Sequence, residues 1–232
     1  MTSGQVIIHL IVPGAISQEM AIQCLTAEEV DRASRFRFSK DATNWISCRA
    51  QLRMTLGKEI NLSPNQVPLV QSEFGKPLLA PAYEGLHFNL THSTELALIA
   101  VCPDGPVGID LEKNSRGAEL LGCESTFCHP QEIEKLPSDP QLRATQLLQI
   151  WTNKEAVLKA LGTGLSYPPE QLRILFDLPI RQAISEPPLP GIADQWLRNL
   201  NHPLLVDYQA VVSIPTAATS MDIARFDRPF TI

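Results

Sequence analysis

The sequence predicts a mixed α/β protein, and three observations predict it. Apolar, β-branched segments alternate with segments carrying helix caps and helical spacing. Proline and glycine cluster at definite points, above all in Cys102-Pro-Asp-Gly-Pro106, which divides the 232 residues nearly in half. The apolar and charged fractions, 44% and 19%, are those of an ordinary globular protein. A chain of this length makes one large domain or two small ones of about 100–120 residues. The break puts the division at residues 1–104 and 105–232.

Val6–Val12 is a short apolar run without a basic leader, so it reads as a first strand instead of a signal peptide. Thr26 and Glu29 form a T-x-x-E capping box, which starts a helix near Ala27 that runs to about Phe36. Asp41 is the expected cap of a second helix whose apolar stripe is Trp45, Ile46, Leu52, Leu56 and Ile60, ended by Asn61, Ser63 and Pro64. Strands are expected at Pro68–Ser72, Leu86–Leu90 and Glu95–Val101, the last apolar enough to be buried on both faces. A further strand follows the Cys102–Pro106 break. His129-Pro130 opens a short helix, and Pro140 opens a long one that runs to Leu161 and stops at Gly162. Pro168–Pro169 and Pro187–Pro190 punctuate the tail, with strands near Gln171–Phe176 and Leu204–Ile214.

Composition also excludes. A net charge of −6 argues against a nucleic-acid partner, whose footprint would be a basic excess. No apolar run approaches the length of a membrane span. The five cysteines are an odd number without C-x-x-C spacing, so neither a disulfide framework nor a zinc site is expected, and a reducing cytoplasm is the default. Basic residues concentrate from Arg32 to Lys58, which suits a solvated helix face with a few cations free to meet an anionic ligand.

Two segments carry the chemistry. In Val107–Lys113 (VGIDLEK), Asp110 and Glu112 stand two apart on a strand and so face the same way, where both can grip one hard cation. In Trp151–Lys159 (WTNKEAVLK), Glu155 and Lys159 share one helix face at i and i+4. Three carboxylates beside an ammonium suit Mg2+ on a phosphorylated substrate. Taken singly, these residues are an exposed strand face and a surface ion pair.

Together, the two segments resemble the bipartite signature of 4′-phosphopantetheinyl transferases of the larger, surfactin-synthetase-activating type. Phe74–Leu79 (FGKPLL) and Phe88–Ser93 (FNLTHS) extend the resemblance upstream, with a fainter match around Glu28–Phe38. The resemblance implies two similar α/β subdomains about a pseudo-two-fold, with coenzyme A in the cleft between them. It places the adenine and phosphate side on residues 1–104, and the metal site and catalytic helix on 105–232. It implies that Asp110, Glu112 and Glu155 ligate Mg2+, and that Lys159 lies at the phosphates. Gly75, Lys76 and Pro77 correspond to the adenine-side loop. His92 is implied as a phosphate contact with Asn89 and Thr91 beside it, and Arg32 as the 3′-phosphate contact. Some members carry a second basic residue where this chain has Glu29. Lys154 also matches a family lysine and is expected nearer the rim, and Trp151 in the core. Arg49 and Arg53 are reserve cations, equally suited to ion pairs.

The expected activity is Mg2+-dependent transfer of 4′-phosphopantetheine from coenzyme A to a serine of an apo-carrier protein, releasing 3′,5′-ADP. Glu155 is the candidate proton acceptor. The expected protein is a monomer with no nucleic-acid or membrane partner, and Lys113–Cys128, with Leu120, Leu121 and Phe127, is the expected carrier surface. A metal-dependent nucleotide or pyrophosphate hydrolase would use the same carboxylates, but no dedicated water-activating group supports it. A non-catalytic coenzyme A-binding module would have no use for the metal ligands and Lys159 together.

Overall fold

A computed structural model describes residues 2–93 and 95–225. The elements, in chain order, begin with β1 (Gln5–Ile11), α1 (Gln18–Gln23), α2 (Ala27–Ser34) and α3 (Ser39–Ile60). Next come β2 (Leu69–Gln71), β3 (Pro77–Leu79), β4 (His87–Ser93), β5 (Leu96–Cys102) and β6 (Gly108–Lys113). Then follow α4 (Glu124–Phe127), α5 (Pro130–Ile133) and α6 (Pro140–Leu161). The chain ends with β7 (Leu172–Leu175), β8 (Gln182–Ser185), β9 (Gln195–Asn199), β10 (Tyr208–Pro215) and β11 (Ser220–Arg225). The mixed α/β class is as expected.

Two sheets lie at the centre. One runs β11-β1-β5-β4 and the other β6-β10-β9. Alternation along the strands makes the layers. Leu96, Leu98 and Ala100 of β5 join Val6, Ile8 and Leu10 of β1 in one cluster with Ile109, Leu111, Val212 and Ile214 of the second sheet. The intervening residues Ala97, Ile99 and Val101 turn the other way, onto Cys48, Leu52 and Leu56 of α3. On the far side, Val211 of β10 meets Ala156, Val157 and Leu158 of α6. The order is therefore α3, sheet, sheet, α6. Each fully buried Leu or Ile in this stack contributes about 1.5–3 kcal/mol relative to exposure.

β11 crosses back from the second half of the chain. It pairs in parallel with β1, Gln5 opposite Ser220 through Leu10 opposite Arg225, so residues after 104 complete the sheet of those before it. Local signals account for most helix ends. Thr26 and Glu29 form the capping box of α2. Asp139 caps α6 by accepting from the Leu142 N–H, and Gly162 ends it in the left-handed region at φ 76°. The start of α3 differs from expectation: Phe38 occupies the cap and Asp41 falls in the first turn, where its charge still complements the helix N-terminus.

Lys154 lies far from the rim. It is 0% exposed, and its ammonium donates to the carbonyls of Phe127, Pro169 and Leu172 at 2.7–3.0 Å while pairing with Glu132 at 2.6 Å. Glu132 also accepts from the backbone N–H groups of His129 and Ile174, both at 2.8 Å. This cluster moors the middle of α6 to the chain on either side of it, which explains burial of a lysine in the helix that carries Glu155. Lys154→Ala would leave Glu132 as an unpaired buried charge, and a loss of about 3–5 kcal/mol is expected in urea denaturation. A loss under about 1 kcal/mol would mean that the pair is solvated.

Candidate active site

The site forms where β6 lies on α6. A Cβ on Gly108 would sit 2.0 Å from the Ala156 carbonyl oxygen and 2.3 Å from the Ala160 nitrogen, so only glycine permits this approach. Two residues along the same face, Asp110 is 3% exposed, and its Oδ1 accepts from Lys159 Nζ at 2.5 Å. Glu155, one turn before Lys159, holds its Oε2 3.8 Å from the same ammonium. Thr91 of β4 completes the group. Its hydroxyl donates to Asp110 Oδ1 at 3.4 Å and lies 3.5 Å from Lys159 Nζ.

Two carboxylate oxygens stand out: Asp110 Oδ2 and Glu155 Oε1 are buried with no hydrogen-bond partner. A buried carboxylate oxygen without a donor is costly, and a divalent cation is one chemical group that would satisfy both. Burial pushes the Glu155 carboxyl above the ordinary carboxylate range; the neighbouring charges of Asp110 and Glu112 push the same way, and Lys159 opposes them.

Glu112 is not drawn onto that ammonium. Its Oε1 accepts from Arg116 Nη1 at 2.5 Å, an i, i+4 pair on the turn that follows β6. Among the described residues no group of three His, Cys, Asp or Glu side chains is close enough to hold a metal as it stands. The partnerless oxygens of Asp110 and Glu155 are donors of the type a hard divalent cation takes, and Mg2+ commonly binds one or two carboxylates with phosphate oxygens and water supplying the rest.

The other candidates are placed as follows. Asn89 is buried and its Oδ1 accepts from the Ile109 N–H at 2.9 Å, which ties the edge of one sheet to the edge of the other. His92 follows Thr91 on β4 and is exposed. Lys76 donates to the carbonyls of Val107 and Ala160 at 3.3 and 3.0 Å, at the C-terminal end of α6 where a cation is favoured. Burial lowers its amine to about 8. Gly75, at φ 79°, makes the tight turn before it, and Pro77 is half-buried at the start of β3. Arg32 is exposed, its guanidinium 5.2 Å from the Trp45 ring centroid. Glu29 takes both reserve arginines: it pairs with Arg49 and, at 2.6 Å, with Arg53, which also donates to the carbonyls of Pro64 and Val67. Phe127 is buried edge-on against Trp151, while Leu121 remains 38% exposed. A groove of about 730 Å³, lined by Met20, Cys24 and Met54, lies apart from these carboxylates.

Comparison with known proteins gives this geometry its context. Residues 106–208 match the family model described as the 4′-phosphopantetheinyl transferase superfamily. Residues 13–104 match the model described as 4′-phosphopantetheinyl transferase, N-terminal. This chain belongs to the 4′-phosphopantetheinyl transferase superfamily. It is 37% identical to the 4′-phosphopantetheinyl transferase HetI of Nostoc over 145 residues, 61% of each chain. Over 170 residues it is 30% identical to the human L-aminoadipate-semialdehyde dehydrogenase-phosphopantetheinyl transferase, covering 68% of this chain and 54% of that one. The 4′-phosphopantetheinyl transferase of Bacillus subtilis is 29% identical over 152 residues, 65% of this chain and 66% of its own. The match to the Nostoc relative thus spans about three fifths of that protein's length.

Sequence reasoning missed Arg116 and Glu132. Arg116 had a visible signal, since it stands four residues after Glu112. Glu132 had none, because its partner Lys154 is distant in the chain.

The raised Glu155 carboxyl predicts a pH dependence. A carboxyl that holds its proton more tightly when folded costs stability once ionised. That cost is absent below its unfolded pKa and grows as pH rises through the raised folded value. Glu155→Gln should therefore melt higher than the parent at about pH 7 without added metal, with the gap closing towards about pH 4. A variant that melts lower than the parent at neutral pH would mean that attraction to Lys159 outweighs burial.

Proposed function

We propose that this protein transfers the 4′-phosphopantetheine group of coenzyme A to a serine hydroxyl of an apo-carrier protein, with release of 3′,5′-ADP and dependence on Mg2+. One observation carries the reading: two buried carboxylate oxygens, on Asp110 and Glu155, lack partners beside one ammonium, on the strand and helix that bear the family signature. Family membership and the names of the relatives indicate the group transferred.

Asp110 and Glu155 would hold Mg2+, with Glu112 as a third ligand once it leaves Arg116. The bound ion would supply neutralisation of charge on the pyrophosphate oxygens. The remaining work falls to the chain. Glu155 accepts the serine proton as the hydroxyl oxygen attacks the phosphorus attached to pantetheine. The bond from that phosphorus to the bridging oxygen breaks, and 3′,5′-ADP leaves with the electron pair. Lys159 offsets the charge that develops there. Thr91 holds Asp110 and Lys159 in register, and Asn89 holds together the strand edges that carry Thr91 and Asp110.

Further ligand contacts are assigned on the same basis. His92, exposed on β4, meets phosphate, and Arg32, exposed on α2, meets the 3′-phosphate. The Lys76 stem, with Gly75 and Pro77, flanks the adenine while its ammonium stays on the end of α6. The acceptor approaches over Lys113–Cys128, where Leu121 is exposed. The protein acts as a monomer, and its five free cysteines accord with the reducing cytoplasm. Among the described residues no helix is long and apolar enough to cross a membrane.

Incubation with a fluorescent coenzyme A, Mg2+ and a panel of apo-carrier proteins tests the activity. Asp110→Ala should remain folded and transfer nothing. Glu155→Gln should lose at least about 100-fold in kcat, while calorimetry still shows coenzyme A binding. Full activity in excess chelator would overturn the metal dependence. Near-parental transfer by Glu155→Gln would remove Glu155 from the chemistry.

A further inference from the structure

Arg116 sits in the 3-10 turn Asn114–Leu120, directly after β6. That turn is pressed onto α6, since a Cβ on Gly117 would lie 2.6 Å from the Ala144 carbonyl oxygen. The backbone thus sets where Arg116 begins, and its guanidinium bridges two carboxylates. Nη1 lies 2.5 Å from Glu112 Oε1, and Nε lies 3.6 Å from Glu119 Oε2. The Glu112 side chain is only 14% exposed, while Arg116 is 44% exposed and Glu119 68%. Glu112 is therefore mostly enclosed and already neutralised, although it stands on the same face of β6 as Asp110. Asp110 and Glu155 are in a different condition. Each keeps a buried oxygen without a partner.

We infer that Arg116 is an internal competitor for the cation site: it withholds Glu112, so the resting protein offers a free divalent ion two carboxylates instead of three. This rests on reading Asp110 and Glu155 as a divalent-cation site. Free metal then binds through Asp110 and Glu155 while Arg116 keeps Glu112, and Arg116 tunes the site without touching the ion. A partly exposed guanidinium–carboxylate pair is weak enough to be broken by a divalent charge, and strong enough to shift its binding measurably. Removing Arg116 also removes a positive charge that opposes entry of a cation.

The test is titration of the whole protein with Mn2+, following the electron paramagnetic resonance signal of the free ion, with Mg2+ as competitor. Arg116→Gln should bind Mn2+ about three- to tenfold more tightly than the parent. Glu112→Gln alone should change the Kd less than about twofold, because Glu112 is already engaged. Added to Arg116→Gln, the same substitution should return the Kd to about the parental value. Should Arg116→Gln fail the circular-dichroism check for folding, Arg116→Lys replaces it. A lysine keeps the charge but loses the fork, so a smaller tightening is expected. Unchanged or weaker binding by the folded Arg116 variant overturns the inference, as does an equal effect of Glu112→Gln in both backgrounds. If neither parent nor variants bind Mn2+, the divalent-cation reading itself falls, and the inference with it.

Discussion

A strand and a helix that touch backbone to backbone are the constraint on which this structure depends. At Gly108 there is no space for even a methyl group between β6 and α6. That contact is what carries Asp110, two residues further on, to within hydrogen-bond reach of Lys159. A wedge at residue 108 would part the two elements, and the carboxylates of Asp110 and Glu155 would no longer share a cation. The chemistry needs convergent charge, and charge converges here because one residue lacks a side chain. The mooring of Lys154 acts in the same direction from the other side, holding α6 to the loops around Phe127 and Pro169.

The charges at the site are arranged at the expense of stability. Glu155 is pushed up by burial and by its acidic neighbours, and a buried oxygen on each of Asp110 and Glu155 has no donor. A chain selected for folding alone would satisfy those oxygens or replace the residues. Their retention fits a binding site, where a group that is incomplete in the resting protein is completed by its ligand. Glu112 shows the contrast. With Arg116 against it, it already has a cationic partner in the resting protein.

Basic residues proved the hardest to read. Lys76, Lys154 and Arg53 are all suited by type to phosphate, yet each donates to main-chain carbonyls at a junction between elements. The long stem and multiple donors that suit a phosphate also suit a helix end or an irregular loop with carbonyls to satisfy. Glu29 shows the converse. It gathers Arg49 and Arg53 around the capping box of α2. Residue type narrows the chemistry of a charged side chain, but its neighbours decide the use.

The sequence by itself determined what depends on residues within a turn or a strand of one another. The span of α6 from Pro140 to Leu161, the burial of β5 and the shared face of Asp110 and Glu112 all follow from caps, period and alternation. The mixed α/β class follows from the same signals. The tertiary structure alone decided the rest: the return of β11 to pair with β1, the burial of Lys154 on Glu132, and the union of Asp110 with Lys159. The two short strands β8 and β9 belong there too, since little in their composition marks them. These features rest on contacts between residues far apart in the chain. No local pattern encodes which of several lysines will meet a given carboxylate, because that choice is made by how closely the backbones pack.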